Sequence, residues 1–296
     1  MTAVKELAYA KTNLFLDIDS KMPDGFHSIY TVMHTVSLCD EVTVELHGIG
    51  KRIARMMIAN NRFLPTDSKN LCVKAAELFM ERAGIDAEIV LRLKKRLPIG
   101  GGLGGGSADA AAVLRAMNRI FKRRFSEKML LEMAGALGSD VPFCLLGGTA
   151  LCEGRGELMT RLDSSLALHL VIANSGEHVS TPMAYKELDR HYFDFDGSVK
   201  SRGIELREPF MQGISRGNIS SEHLFNIFEE PILALCPRAQ AIKDRLLKLG
   251  AVGVMRSGSG SSIFGIFDSE GAARGAKEAL RAMGATAYYA RSTKNR

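Results

Sequence analysis

Apolar and polar positions along the chain fall into alternating strand-like and helix-like stretches. Leu7 to Ile18 (LAYAKTNLFLDI) is apolar and aromatic with polar interruptions, and predicts a strand. Pro23-Asp24-Gly25 predicts a turn, because Pro fixes φ and Gly permits the positive φ that follows. Thr31 to Leu46 predicts further strand, with Val42, Val44 and Leu46 alternating against Thr43 and Glu45. Leu71, Ala75, Leu78 and Phe79 repeat at helical spacing, which predicts a helix over Asn70 to Ala83, stopped by Gly84. Ile89, Leu91 and Leu93 form the next strand, which runs directly into a glycine loop.

Helices are predicted over Ser107 to Met117 and Ser126 to Leu137, the second stopped by Gly138. Thr149 to Cys152 and Ala167 to Ala173 read as strands, and Asp194 to Gly217 is polar without clear periodicity. Pro231 to Leu249 returns to helical spacing, with basic residues late in the helix where they complement its dipole. A second loop, Ser257 to Ser262, precedes a strand (Ile263 to Phe267) and a helix (Ser269 to Met283). Strands and helices mix without a strict βαβ rhythm, so the expected class is α+β rather than a doubly wound sheet. A change of character near Met159 suggests two domains, 1–158 and 159–296.

Length and composition narrow the function classes. The 296 residues, 46% apolar and 24% charged, suffice for one large or two medium domains. No 18-residue apolar run is present, and the first ten residues lack the apolar stretch of a signal peptide, so a cytosolic location is expected. Five cysteines with no CxxC pair argue against a disulfide framework or a structural zinc site. The net charge of +6 suits an anionic partner, but it is spread along the chain, and the aromatics are not interleaved with a basic stripe. Nucleic acid is therefore not the expected partner.

The segment PIGGGLGGGSADAAAVLRAM, Pro98 to Met117, carries the most information. Gly100, Gly101, Gly102, Gly104, Gly105 and Gly106 surround Leu103, at a high cost in backbone entropy. The loop lies between a strand and a helix whose N-cap candidate is Ser107. Loop amides and the first-turn N–H groups of such a helix can hold phosphate. A Walker A loop fails because no Lys follows the glycines. A dinucleotide fingerprint is matched only formally, since the acidic residue expected about 20 positions on is missing. Lys94, Lys95 and Arg96 add positive charge before the loop, or form a solvated strand end.

Other polar residues are candidates of lower information. Lys11 and Asn13, two apart in a strand, emerge on one face and suit an oxygen-rich ligand or simply a polar strand face. Asp140 sits in Gly138-Ser-Asp-Val-Pro142, a good mount for a carboxylate and also an ordinary turn. His27 follows the Asp24-Gly25 turn, and Ser257-Gly-Ser-Gly-Ser-Ser262 is a second donor loop beside Arg256. No HExxH, clustered His/Cys or GxSxG motif supports a zinc enzyme or serine hydrolase, and no metal ligands are assigned.

Taken together, AYAKTNLFLDI, PDGFHSIYTVMHTVSLCDEV, PIGGGLGGGSADAAAVL, GSDVPFCLLGGTALCEGRGE and SGSGSSIFGIF resemble the GHMP kinases, the superfamily of galactokinase, homoserine kinase and mevalonate kinase. The pattern is most similar to the members that phosphorylate a cytidine diphosphate-linked methylerythritol in the non-mevalonate isoprenoid pathway. The resemblance implies an N-terminal domain like ribosomal protein S5 domain 2, a ferredoxin-like C-terminal domain and an active site in the cleft between them. It implies ATP as co-substrate with Mg²⁺, and a small-molecule substrate rather than a nucleic acid or membrane. By the same match, Asp140 is the general base, Lys11 lies beside it, and Asn13 binds substrate. His27 reads the cytosine edge while Phe26 and Tyr185 stack on its faces. Gly100 to Ser107, including Leu103, hold the ATP phosphates, and Asn70 and Lys95 lie near adenine and ribose. Three positions depart from the family pattern: Ile227 for an Asp in Asn226-Ile-Phe-Glu229, Phe26 for Tyr, and Thr12 for an aliphatic residue. Another alcohol kinase of the same superfamily, or a non-catalytic nucleotide-binding protein, are the alternatives.

Overall fold

Two long strands open the chain: β1 (Thr2–Lys21) and β2 (His27–Ile49), joined through the Pro23-Asp24-Gly25 turn. The computed structural model describes residues 2–293 except 59, 62, 178, 194–200 and 202. The chain divides into two compact units. The first comprises Met1–Ala10, Cys39–Leu97 and Gly104–Gly147, and the second Lys11–Leu38, Pro98–Leu103 and Gly148–Arg296. Both long strands, and the glycine loop, contribute residues to each.

In the first unit, β3 (Ile53–Ile58), α1 (Leu71–Ala83), β4 (Ala87–Lys94), α2 (Gly105–Ile120), α3 (Glu127–Leu137) and α4 (Val141–Leu146) follow in order. β4 pairs antiparallel with the end of β2, Val42 facing Leu93 and Val44 facing Leu91, and parallel with β3. The alternation seen in the sequence sends Val42, Val44, Ile89, Leu91 and Leu93 to one buried face, against α1 and α2. The alanines of α2 (Ala108, Ala110 to Ala112, Ala116) are buried and let the helix approach closely. Asn70 caps α1 and Ser126 caps α3, as their positions in the sequence suggest. The helix expected from Ser107 begins two residues earlier, with Gly104 as its cap.

The second unit holds β5 (Thr149–Gly154), β6 (Leu158–Arg161), β7 (His169–Asn174), α5 (Thr181–Tyr192), α6 (Gly203–Ser215), β8 (Phe225–Asn226), α7 (Glu229–Leu233), α8 (Pro237–Lys248), β9 (Gly253–Arg256), β10 (Ser262–Phe267), α9 (Glu270–Ala282) and β11 (Thr286–Arg291). Four of these strands form an antiparallel sheet in the order β11-β7-β10-β9, with α8 and α9 packed on it. The start of β2 pairs with β5, and β8 adds in parallel to β1, Phe15 beside Phe225.

Two expectations change here. The single helix over Pro231 to Leu249 is two helices, because Pro237 lacks an N–H and bars helical backbone at Cys236, whose φ and ψ are −128° and 74°. The aperiodic Asp194 to Gly217 stretch contains α6, with Pro209 inside it. Residues 194–200 and 202 of that stretch lie outside the described residues. No helix among the described residues is long and apolar enough to cross a membrane.

Candidate active site

The first half of the glycine loop belongs to the second unit and is built around backbone contact. Gly102 has φ +75°, and a Cβ there would stand 2.0 Å from the Ser257 carbonyl oxygen. A Cβ on Gly260 would stand 2.1 Å from the Gly102 nitrogen, so the two loops touch main chain to main chain. Hydrogen bonds fix them: Ser257 Oγ donates to Gly102 O (3.0 Å), and the Ser261 and Ser262 amides donate to Gly100 O (3.4 Å) and Gly101 O (3.2 Å). The Lys11 amide donates to Leu103 O at 3.0 Å. All four carbonyls from Gly100 to Leu103 are therefore engaged by the protein.

The second loop is itself braced. Asn226 Nδ2 donates to Arg256 O (2.9 Å) and Gly258 O (3.0 Å), while its Oδ1 accepts from the Phe228 amide (3.0 Å). Glu229 accepts from the Arg256 amide at 3.3 Å and pairs with Lys243 at 2.6 Å. Asn226 and Glu229 of the Asn-Ile-Phe-Glu motif thus hold the serine loop. Ile227 is fully buried, and its amide donates to Leu16 O at 2.9 Å. Arg256 is buried too, and burial pulls its guanidinium below its ordinary pKa despite Cys236 and Glu229 nearby. Its Nη2 donates to Ser259 O at 3.5 Å, while its Nε and Nη1 meet no geometric hydrogen-bond acceptor among the described residues.

Beside this loop, Lys11 Nζ donates to Asn13 Oδ1 (2.8 Å), Asn13 Nδ2 to Thr31 Oγ1 (2.8 Å), and Thr31 Oγ1 to Phe15 O (2.7 Å). All three side chains are buried, and the chain of bonds fixes which atom each presents. A Cβ on Gly258 would lie 3.3 Å from Asn13 Oδ1 and 3.7 Å from Lys11 Nζ, so the pair and the serine loop share one place. The same-face spacing of Lys11 and Asn13 was legible. The Ser257 loop and the Asn226 motif were also marked in the sequence, but what they and Thr31 bond to was not legible, because those partners are distant along the chain.

The second half of the loop opens α2 in the first unit. Gly104 caps it with a left-handed backbone (φ 66°), and Ser107 is the third helical residue. Lys95 lies under this turn: a Cβ on Gly105 would meet its Nζ at 3.3 Å. Its ammonium is buried between two carboxylates, Asp109 Oδ2 at 2.8 Å and Asp40 Oδ2. Asp40 Oδ1 also accepts from the Arg96 and Leu97 amides. Burial, opposed by Lys95 and reinforced by Asp40, pushes Asp109 up to about 8. Burial alone would lower Lys95, but Asp109 and Asp40 outweigh it and raise it. The basic run is thus divided: Lys95 is turned inward, and Arg96 pairs with Glu41. Lys95 shares parity with Ile89, Leu91 and Leu93, and that signal could have identified it as buried. Asp40 and Asp109 went unnoticed, since nothing local marks them as partners.

Asn70 accepts from the Cys72 amide (2.9 Å) and donates to Pro65 O (2.8 Å), so its amide caps α1. Asp140 precedes α4, with Pro142 in the first turn, and its carbonyl accepts from Cys144. Both belong to the first unit.

In the second unit the residues after the first turn meet an aromatic group. The His27 ring lies 4.8 Å from Tyr185 and 5.4 Å edge-on from Phe193, and Tyr185 meets Phe228 at 5.0 Å. His27 Nε2 is 2.6 Å from Asp189 Oδ1, and Lys21 pairs with the same carboxylate. Phe26 is 58% exposed, and the Arg155 guanidinium covers its ring at 4.4 Å. His27 and Tyr185 are therefore together, and Phe26 presents its face to a cation. Asp189 and Arg155 were not anticipated. Among the described residues, no group of three or more His, Cys, Asp or Glu comes together to hold a metal ion.

Comparison with known proteins adds a second line. Residues 70–148 match the GHMP kinases N terminal domain and residues 208–286 the GHMP kinases C terminal domain. The chain is 38% identical over 280 residues to the 4-diphosphocytidyl-2-C-methyl-D-erythritol kinase of Caldicellulosiruptor bescii, covering 94% of each. It is 35% identical over 290 residues to the kinase of the same name from Macrococcus caseolyticus, covering 97% of this chain and 99% of that one. A crystal structure of 4-(cytidine 5'-diphospho)-2C-methyl-D-erythritol kinase superposes with a TM-score of 0.81 at 32% identity, covering 98% of this chain and all of that one. Homoserine kinase from Cytophaga hutchinsonii shares the fold, with a TM-score of 0.74 at 24% identity over 100% of this chain and 96% of that one.

Proposed function

The chain belongs to the GHMP kinase family, among the 4-diphosphocytidyl-2-C-methyl-D-erythritol kinases, and on that premise we propose that it transfers the γ-phosphoryl group of ATP to the 2-hydroxyl of 4-diphosphocytidyl-2-C-methyl-D-erythritol. The observation that carries the reading is the meeting of Lys11, Asn13, the serine loop and Gly100 to Leu103 in the second unit, where an ammonium, an amide and two main-chain loops converge. With the four loop carbonyls turned to protein donors, the N–H groups are what the loop has left to offer an anion.

In the proposed reaction the 2-hydroxyl oxygen bonds to the γ-phosphorus as the bond to the ADP oxygen breaks. The hydroxyl proton passes to the Asp140 carboxylate. Lys11 offsets negative charge at the accepting oxygen, and Asn13, pinned by Thr31, orients the substrate. Phosphoryl transfer asks mainly for alignment and charge compensation, which these groups supply in kind. Gly100 to Gly106, Leu103 and Ser107 hold the phosphates. Asn70 and Lys95 lie toward adenine and ribose, Lys95 acting through the turn it supports because its ammonium is buried against Asp40 and Asp109. Mg²⁺ would arrive bound to the triphosphate, supplying charge neutralisation, since no cage of protein ligands is present among the described residues.

Cytosine stacks between Phe26 and Tyr185 and hydrogen-bonds His27 along its edge. The exposed Phe26 ring, already attractive to a guanidinium, is a face that a base can occupy. The proposed boundary after residue 158 falls in the stretch between the two family domains, which match residues 70–148 and 208–286. The enzyme is proposed to work in the cytosol.

A steady-state assay with Mg-ATP and the cytidine diphosphate substrate tests the reading. Turnover of another alcohol but not of this one would reject the substrate. Asp140→Asn should lower kcat by roughly 10² or more with little change in KM, and a near-normal rate would make Asp140 a turn residue only. Phe26→Ala should raise KM for the cytidine substrate and leave that for ATP unchanged.

A further inference from the structure

The second unit carries a cavity of about 430 Å³ that none of the proposed catalytic or substrate residues lines. One wall is α8, which contributes Arg238 and Arg245. Seven residues apart, these lie on one helix face, about 10 Å from each other along the axis. The lining also includes the Asn174-Thr286 pair, where β7 meets the edge strand β11. Leu280 and Met283 of the α9 end supply an apolar side. Arg245 Nε is buried without a hydrogen-bond partner among the described residues. The nearby Glu177 carboxylate is consumed in capping α8 through the Arg238 and Ala239 amides, at 3.1 and 2.9 Å.

Two guanidiniums beside an amide, a hydroxyl and a hydrophobic side select an anion with a short apolar group. Phosphate suits them better than carboxylate, because a dianion matches two positive charges and offers oxygens to both forks.

The same cavity touches the machinery that holds the glycine loop. Asn174 Nδ2 donates to Ser261 Oγ (2.9 Å) and Ser262 Oγ (3.3 Å), and the Ser175 amide to Ser261 O (3.2 Å). Those two serines in turn donate their amides to Gly100 O and Gly101 O. A ligand that hydrogen-bonds Asn174 competes with the serines for its amide. We infer that this cavity is a second binding site, for a small organic phosphate ester, and that its occupancy loosens the Ser261-Ser262 hold on the glycine loop and weakens ATP binding. The coupling has a physical carrier, one amide with two exclusive sets of partners.

Butyl phosphate is the probe. Calorimetry on the full chain saturated with a non-hydrolysable ATP analogue should show one binding event. In Arg238→Gln/Arg245→Gln that event should weaken about tenfold or more, one guanidinium–phosphate contact being enough for such a loss. Inorganic phosphate should bind more weakly than butyl phosphate. No heat up to about 10 mM, equal binding by the double variant, or equal binding of inorganic phosphate would each overturn the site as described. In turnover, saturating butyl phosphate should raise KM for ATP about two- to threefold in the native enzyme and leave it unchanged in the double variant. An unchanged KM in the native enzyme, or the same rise in both, which is direct competition at the glycine loop, would overturn the coupling. The double variant should keep its kcat without ligand, which checks its folding. The calorimetric arm needs no turnover, so its outcome stands apart from that of the kinase assignment.

Discussion

The two halves of the glycine loop use the same residue for opposite reasons. Gly102 and Gly260 lack side chains because another main chain occupies the space, a Cβ on either standing within 2.1 Å of a backbone atom, and Gly101 because a Cβ there would stand 2.7 Å from the Ser262 hydroxyl. Gly105 and Gly106 meet no such wall. A Cβ on Gly105 would meet side chains alone, the Lys95 ammonium at 3.3 Å and Leu97 at 3.5 Å, and one on Gly106 would lie 3.8 Å from Leu71 Cδ1. A glycine run in a sequence therefore mixes positions closed by protein packing with positions left open, and only the open ones are explained by a ligand.

The largest expected effect is at the closed half. Gly102→Ala forces a Cβ against the Ser257 carbonyl in a left-handed backbone, and should cost more than about 3 kcal/mol or separate the two loops. Chemical denaturation and the KM for ATP read this. A mild variant would contradict the main-chain contact. Next comes the support of the open half. Lys95→Met leaves Asp40 buried without its cation, at a cost of about 3–5 kcal/mol if nothing else neutralises it. Lys95→Met/Asp40→Leu should recover part of the loss.

The two supports should also part with pH. Asp109 is raised in the folded state, from 3.8 to about 8, so the native protein holds a proton the unfolded chain has released. Its contribution is present at low pH and is lost as pH rises toward 8. His34, in the second unit, is lowered from 6.5 to about 4 by burial, with its ring nitrogens on Thr149 Oγ1 (2.9 Å) and Ser292 Oγ (2.8 Å). Its contribution is complete above pH 6.5 and is lost as pH falls to about 4. Scanning calorimetry should show Asp109→Asn removing a loss of Tm that accumulates as pH rises from about 4 to 8, and His34→Gln removing one that accumulates as pH falls from 6.5 to about 4. Identical pH profiles for both variants would remove the distinction.

The smallest effect is the sharpest test of what the open half is for. Gly106→Ala adds a methyl in ordinary contact, and should stabilise α2 by up to about 1 kcal/mol. If phosphate rests on its N–H, KM for ATP should rise while Tm does not fall. A rise in Tm with unchanged KM would shift the phosphate site toward the earlier glycines.

Much of the fold was legible because its signals are local. Asn70 and Gly84 bracket α1, Ser126 caps α3, and Val42, Val44, Ile89 and Leu91 alternate into a buried face. The split at Pro237 was also written locally and was passed over in favour of the helical spacing on either side. α6 was hidden by its polarity and by Pro209. In the candidate site, Lys11 and Asn13 came from strand spacing, whereas Asp140, His27, Phe26 and Tyr185 acquired roles only from the family resemblance.

By itself the sequence determined the α+β class, the glycine loop's position between a strand and a helix, and the family, since each is carried by residue order and short-range backbone chemistry. Only the tertiary structure decided that Lys95 is buried between Asp40 and Asp109, that Asn226 braces the serine loop, and that Gly102 lies against Ser257. Those partners are separated by 14 to 155 residues along the chain. Burial and charge compensation depend on what meets in space, and local order says nothing of that until the strands have paired.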